Sequence, residues 1–256
     1  KLIAELSVSD WYANEEVCSS HTYPKEYKGP KPINDQIKEI AKVFGLDPSH
    51  ALKFAKTLPE LPNGAEGWFA IPLVDALAAK YFPMVDDPIQ KYCRAIQFVH
   101  TKIADSRSFY NYDDPRSFYN YEEILLARLR VNVRTAHALD LIAETQRGDI
   151  LIIAAQFGMR HRGRSVRRAR EVFAANEFGL GAFATSIMLL THPEREVQWE
   201  QLHVDCAGDE LTPDAKDYFS VVPFFVFYNG RVEFNGRWFN DARKKYGSAS
   251  AFIIDP

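Results

Sequence analysis

The chain has 256 residues, 46% of them apolar, and a formal net charge of -3. That length and apolar share suffice for a buried core, which excludes a chain disordered throughout, and the slight acidity excludes a protein that coats nucleic acid by overall charge. Any site for a polyanion must therefore be local.

Cys18, Cys93 and Cys206 are widely spaced and form no Cys-x-x-Cys pair, so neither a disulfide framework nor a structural zinc site is expected. The opening Lys-Leu-Ile-Ala-Glu, followed by Asp10, Glu15 and Glu16, does not resemble a signal peptide. No apolar run reaches the roughly 18 residues of a membrane span. The expectation is a cytoplasmic protein without a membrane partner.

Ile33, Ile37, Ile40, Ala41 and Phe44 recur at helical spacing, Gly45 ends that helix, and Asp47-Pro48 opens a second with Leu52, Ala55 and Leu58. The pair has the outline of a helix-turn-helix, but Ser49, His50, Lys53 and Lys56 are a modest set for reading bases, which favours a packing hairpin. The breaker-rich stretch from Pro59 to Gly67 marks a boundary. It divides a helical N-terminal region, 1–62, from an α+β domain, 68–256.

Asp87-Pro88 caps a further helix with Ile89, Tyr92, Cys93, Ile96, Val99, His100 and Ile103 on one stripe, so Cys93 and His100 are expected in the core. Arg107-Ser-Phe-Tyr-Asn-Tyr112 then recurs nine residues later as Arg116 to Tyr121. Tyr110, Tyr112, Tyr119 and Tyr121 are candidates for stacking on exposed bases. A shift of nine reverses the face on a helix or a strand, so a loop or hairpin is expected. A long helix is expected over 122–146, with Leu125, Leu129, Val133, Ala136 and Leu139 inward, and a doubly buried strand over 149–155.

After that strand, six arginines fall within eleven residues: Arg160, Arg162, Arg164, Arg167, Arg168 and Arg170. Guanidinium is a planar fork that matches phosphate bidentately, and a strand, a glycine-bearing loop and a helix start at Ser165 would aim backbone N–H groups at an anion. A helix is expected over 166–176. No Gly-x-x-x-x-Gly-Lys-Ser/Thr motif is present. Gly179-Leu-Gly181 mimics a dinucleotide fingerprint but is expected to follow a helix, and is set aside. From Glu194 to Asp217 eight acids face two bases, a competing partner for the arginines within the chain.

Residues 201–206 read as a strand ending in an acidic turn. His203, Asp205, Asp209 and Glu210 there could supply nitrogen and oxygen ligands to a divalent metal. Val221 to Phe227 and Val232 to Phe239 flank Asn229-Gly230, a hairpin signature, with Pro223 placing the first strand at an edge or its own start. Residues 249–254 add a strand. The whole reads as an α+β protein with a mixed β-sheet, several packed helices and a C-terminal β-hairpin, preceded by a small helical N-terminal region.

The leading functional expectation is binding of RNA, DNA or polyphosphate through the six arginines, with the tyrosine repeat as a base platform. The alternative is a metal-dependent phosphoesterase or nuclease using His203, Asp205, Asp209 and Glu210. A third is a structural or assembly subunit, with a protein partner or as a homo-oligomer, whose arginines meet acidic segments. The cofactor is left open, a divalent metal entering only under the alternative reading, and the pattern of residues leaves enzyme or non-enzyme open.

Overall fold

Strand β4, Ile150–Gln156, is buried at every position, as its unbroken apolar run requires. The computed structural model describes residues 10–107, 109–110, 128–213 and 218–254, and among these it holds seven helices and two β-sheets, an α+β architecture. Sheet one has the order β1 (Gly67–Pro72), β4, β11 (Ser250–Phe252), β5 (Glu177–Gly179), antiparallel at every pairing.

Sheet two is built on β8, Val221–Tyr228, which pairs with β9, Arg231–Trp238, through the Asn229-Gly230 turn. Both turn residues have positive φ, 50° and 78°, the backbone of a type I′ turn. On the other side of β8 two short strands follow one another. β6 (His203–Asp205) pairs at Phe224 and Phe225, and β7 (Asp209–Leu211) at Val221. Pro223 lies between those pairings, so its missing N–H costs no ladder bond and the strand can be central. β10 (Tyr246–Ser248) runs parallel to β6, β3 (Leu129–Val131) antiparallel to β7, and β2 (Phe109–Tyr110) parallel to β9.

The first helix, α1 (Ile33–Phe44), buries Ile37, Ile40 and Phe44, and the left-handed Gly45 ends it as its sequence implies. The Gln36 side chain clips it to β1, accepting from the Ala70 N–H and donating to the Trp68 carbonyl. A short α2 (Ser49–Phe54) follows. Past β1 come α3 (Val74–Tyr81) and α4 (Pro88–Ser106), the latter started by Asp87, which accepts from the Gln90 N–H at 2.7 Å. Ile37 and Phe44 belong to the same core as Phe69, Ile96, Phe157 and Phe225, so the helices before the 59–67 stretch and both sheets after it are packed together. Each such side chain contributes about 1.5–3 kcal/mol by leaving water. Cys93 and His100 lie fully buried in α4, as its stripe implies.

The 122–146 expectation needs correction. Helix α5 is Val133–Gln146, and Leu129 lies on β3. Asn132 starts the helix by accepting from the Arg134 N–H, so the chain turns there although apolar spacing continues through it. Helix α6, Val166–Glu171, stops short of 176, and Glu177–Gly179 is a strand. The Gly179-Leu-Gly181 segment therefore does join a strand to a helix, α7 (Ala182–Thr191). Of the repeat, Arg107 donates to the carbonyls of Pro193 and Glu196, and Phe109–Tyr110 forms β2. Tyr112, Tyr119 and Tyr121 lie outside the described residues. Among the described residues no helix is long and apolar enough to cross a membrane.

Candidate functional site

The arginine segment leaves β4 through Phe157-Gly158, makes one 3-10 turn over Met159–His161 and enters α6. Ser165 caps α6 by accepting from the Arg168 N–H at 3.1 Å, as expected from the sequence. The guanidiniums then separate. Arg167 grips both carboxylate oxygens of Glu15, with Nε at 2.8 Å from each. Arg168 reaches Glu16 at 2.6 Å, Glu171 at 2.8 Å and Asp10 at 3.2 Å, and Arg164 reaches Glu16 at 3.2 Å. Arg170 pairs with Glu210 at 2.6 Å and donates to the carbonyls of Ala207 and Asp209. Arg162 is exposed and donates to the His21 carbonyl.

Most of these carboxylates come from the start of the described chain. From the acidic stretch that begins at Glu194, Glu210 alone supplies a carboxylate to the described ion pairs of the six arginines. Residues 10–17 are thereby strapped across α6, helped by the Ser165 N–H donating to Glu15 and the Val17 N–H to Gly163. Hydrogen bonds from Arg167 hold the Glu15 carboxyl below its usual range. Replacing Arg168 by alanine should loosen this strap at a cost of about 1–2 kcal/mol. Limited proteolysis reads it: cleavage within 10–16 becomes faster, and an unchanged cleavage rate would sink the assignment.

Arg160 is held differently. Its Nε donates to Glu177 at 3.2 Å, and Glu177 is fully buried at the start of β5. The same carboxylate accepts from His161 Nε2 at 2.7 Å, Ser250 Oγ at 2.6 Å and the Ala174 N–H at 3.1 Å. Arg164 can only donate, so its contact with His161 Nδ1 at 3.2 Å fixes the tautomer with the proton on Nε2. Burial alone would raise the Glu177 pKa, but its donors outweigh that and hold it at about 2. Burial pushes the His161 pKa down. The Gln156 side chain completes the knot, donating to Ser250 Oγ and the Ser248 carbonyl and accepting from the Gly158 N–H.

Among the described residues the Arg160 side chain makes no hydrogen bond other than that from Nε, and beyond the carboxyl end of β4 it also lines a cleft of about 590 Å³. Tyr23, Tyr27, Glu66, Met159 and Arg160 line it, with Gly29 and Gly64. Gly64 has φ of 98°, and a Cβ there would run into the Arg160 guanidinium, so only glycine allows this approach. The rings of Tyr23 and Tyr27 meet edge to face with centroids 5.4 Å apart. Tyr23 donates to Glu66 and accepts from the Met159 N–H at 2.9 Å, while the Arg195 guanidinium lies 4.0 Å over its ring. The Tyr27 hydroxyl and Glu66 Oε2 are buried without a hydrogen-bond partner among the described residues. Burial raises the pKa of Glu66.

His203, Asp205, Asp209 and Glu210 are adjacent in sequence but engaged separately. The ring nitrogens of His203 face Glu196 Oε2 and the Trp199 carbonyl, both at 3.1 Å, which leaves no lone pair directed outward. Asp205 is fully buried with Arg237 at 3.7 Å, and burial raises its pKa. Asp209 accepts from the Tyr92 hydroxyl at 3.0 Å and the Ala182 N–H at 2.6 Å, closing the start of α7. Glu210 takes Arg130 and Arg170, each at 2.6 Å. Among the described residues no three His, Cys, Asp or Glu side chains gather to hold a metal ion. Tyr23, Glu66 and Glu177 were not singled out from sequence, and only the breaker-rich segment around Gly64 hinted at a special backbone there. Compared with known proteins, the chain matches no family model, no curated protein and no solved structure.

Proposed function

We propose that the protein binds a small organic molecule bearing a phosphate or carboxylate group, in the cleft at the carboxyl end of β4. One observation carries this reading: Arg160, anchored through Nε by buried Glu177, lines that cleft together with Tyr27 and Glu66, whose hydroxyl and Oε2 are buried without a hydrogen-bond partner among the described residues. A guanidinium oriented in advance loses little entropy on taking an anion. Glu66 and Tyr27 would take hydroxyl or amine groups of the same ligand, and the tyrosine rings its flat or apolar part. The neighbouring Arg164, Arg167, Arg168 and Arg170 are matched with carboxylates, which favours a compact ligand over a long polyanion.

Thermal-shift screening of phosphorylated and carboxylated metabolites, followed by calorimetric titration of those that act, tests this. At least one compound is expected to stabilise the protein, and Arg160→Ala should abolish its binding while Arg162→Ala preserves it. If no compound binds, or if Arg160→Ala binds unchanged, the reading fails. It also fails if a short RNA or DNA binds with an affinity that drops steeply with salt while no small anion does, since the wider basic surface would then be the site.

A further inference from the structure

A second cavity, of about 380 Å³, lies elsewhere in the fold, between the end of β1 and the starts of α3, α4 and α7, with α5 as its other wall. Its surface is mainly aliphatic, with Ile71, Ile89, Val131, Leu139 and Leu151 joined by Phe183. A cavity of this size falls in the range used for small molecules.

Its charges select among ligands. Lys91 is engaged by Asp75 at 3.1 Å, while Asp140, exposed on the α5 wall, has no ion-pair partner among the described residues. Two acids against one base leave the lining with one negative charge in excess. The start of α7 would ordinarily attract an anion, but it is closed: the Ala182 N–H donates to Asp209 and the Phe183 N–H approaches the Tyr92 hydroxyl at 3.4 Å. An anionic head group thus finds no donor at the helix end and an acid at the opening.

We propose that this cavity is a second ligand site, taking an apolar molecule with a single ammonium group, its body against the aliphatic wall and its head at Asp140. The site shares no lining residue with the Arg160 cleft.

Ligand-observed NMR and calorimetry with n-octylamine, n-octanol and octanoate on the full chain test it. Octylamine is expected to bind most tightly and octanoate least. Asp140→Asn, an exposed change that leaves the packing alone, should weaken octylamine about fivefold, to the level of octanol, as the loss of an exposed charge pair implies. Ala136→Phe, which projects a ring into the cavity, should abolish binding of all three, whereas Arg160→Ala should leave it intact. The proposal is overturned if octylamine does not bind, if octanoate binds as tightly as octylamine, or if Asp140→Asn leaves octylamine affinity unchanged. Where Ala136→Phe fails to fold, the Asp140→Asn comparison decides.

Discussion

Replacing Glu177 by alanine is expected to destabilise the fold by about 3–5 kcal/mol, the range for removing one partner of a buried charged network. The carboxylate is fully buried and holds four donors from three parts of the chain: His161 and Arg160 after β4, Ser250 on β11, and the Ala174 N–H. Alanine leaves all four facing a void. Glutamine keeps an acceptor and most of the volume, so it should cost distinctly less. Acid has a related effect, because the Glu177 pKa is held at about 2 against an ordinary 4.5. A depressed carboxylate contributes stability that is complete above about pH 4.5 and is lost as pH falls through about 2, here about 3 kcal/mol. Urea titrations at pH 7 and pH 3 check both effects. A loss under about 1 kcal/mol at pH 7 for Glu177→Ala would show that the knot does not hold β5 and the arginine loop together.

The second large effect appears only when two buried groups are separated. Burial pushes the His100 pKa down to about 3, so below its ordinary 6.5 the unfolded chain takes a proton that the folded chain refuses. Stability therefore falls as pH drops from about 6.5 to 3, by about 5 kcal/mol in all. Asp209 behaves oppositely. Burial raises its pKa to about 7 despite the hydrogen bonds from Ala182 and Tyr92, so above 3.8 the unfolded chain releases a proton that the folded chain keeps. That contribution falls as pH rises from about 4 to 7, by about 4 kcal/mol. In the intact protein the two slopes offset each other over much of one window. His100→Leu should leave a protein relatively more stable at pH 4 than at 7. Ser186 stays satisfied in that variant, since its hydroxyl still donates to the Ala182 carbonyl. Asp209→Asn, which can still accept from Ala182 and Tyr92, should tilt the profile towards acid lability. Denaturant midpoints from pH 4 to 7 measure this, and parallel profiles for both variants and the parent would refute it.

Local rules made much of the fold legible. The left-handed glycine after α1, the Asp87 cap, the Ser165 cap, the apolar run of β4 and the Asn-Gly turn each act within a few residues, and the structure has all of them. What escaped depends on distant partners. Leu129 continues a helical spacing, yet it joins β7 because Leu211 is there to pair with it. The arginine cluster was visible, but its carboxylates at Glu15 and Glu16 lie about 150 positions away, and nothing local marks them as partners. His203 and Asp205 share a strand face by their spacing, but Glu196 and burial claim them separately. The Arg160 cleft joins residues from before β1 and after β4, a juxtaposition that only the folded chain creates.

The position of β11 sets the order in which the molecule can be made. Every other strand of sheet one precedes it in the chain, yet it sits between β4 and β5 and pairs with both. Until it arrives, the Ala154–Gln156 stretch of one β4 edge lacks its partner strand, and β5 lacks the strand it pairs with. Gln156 and Ser250 are 94 positions apart, so at ordinary synthesis rates of about 5–20 residues per second that edge stays open for on the order of 5–20 seconds. An apolar strand with an open edge invites pairing with other chains. The protein is thus most exposed to aggregation while it is still being synthesised, and truncation before Ser250 should yield insoluble chains rather than a smaller folded unit.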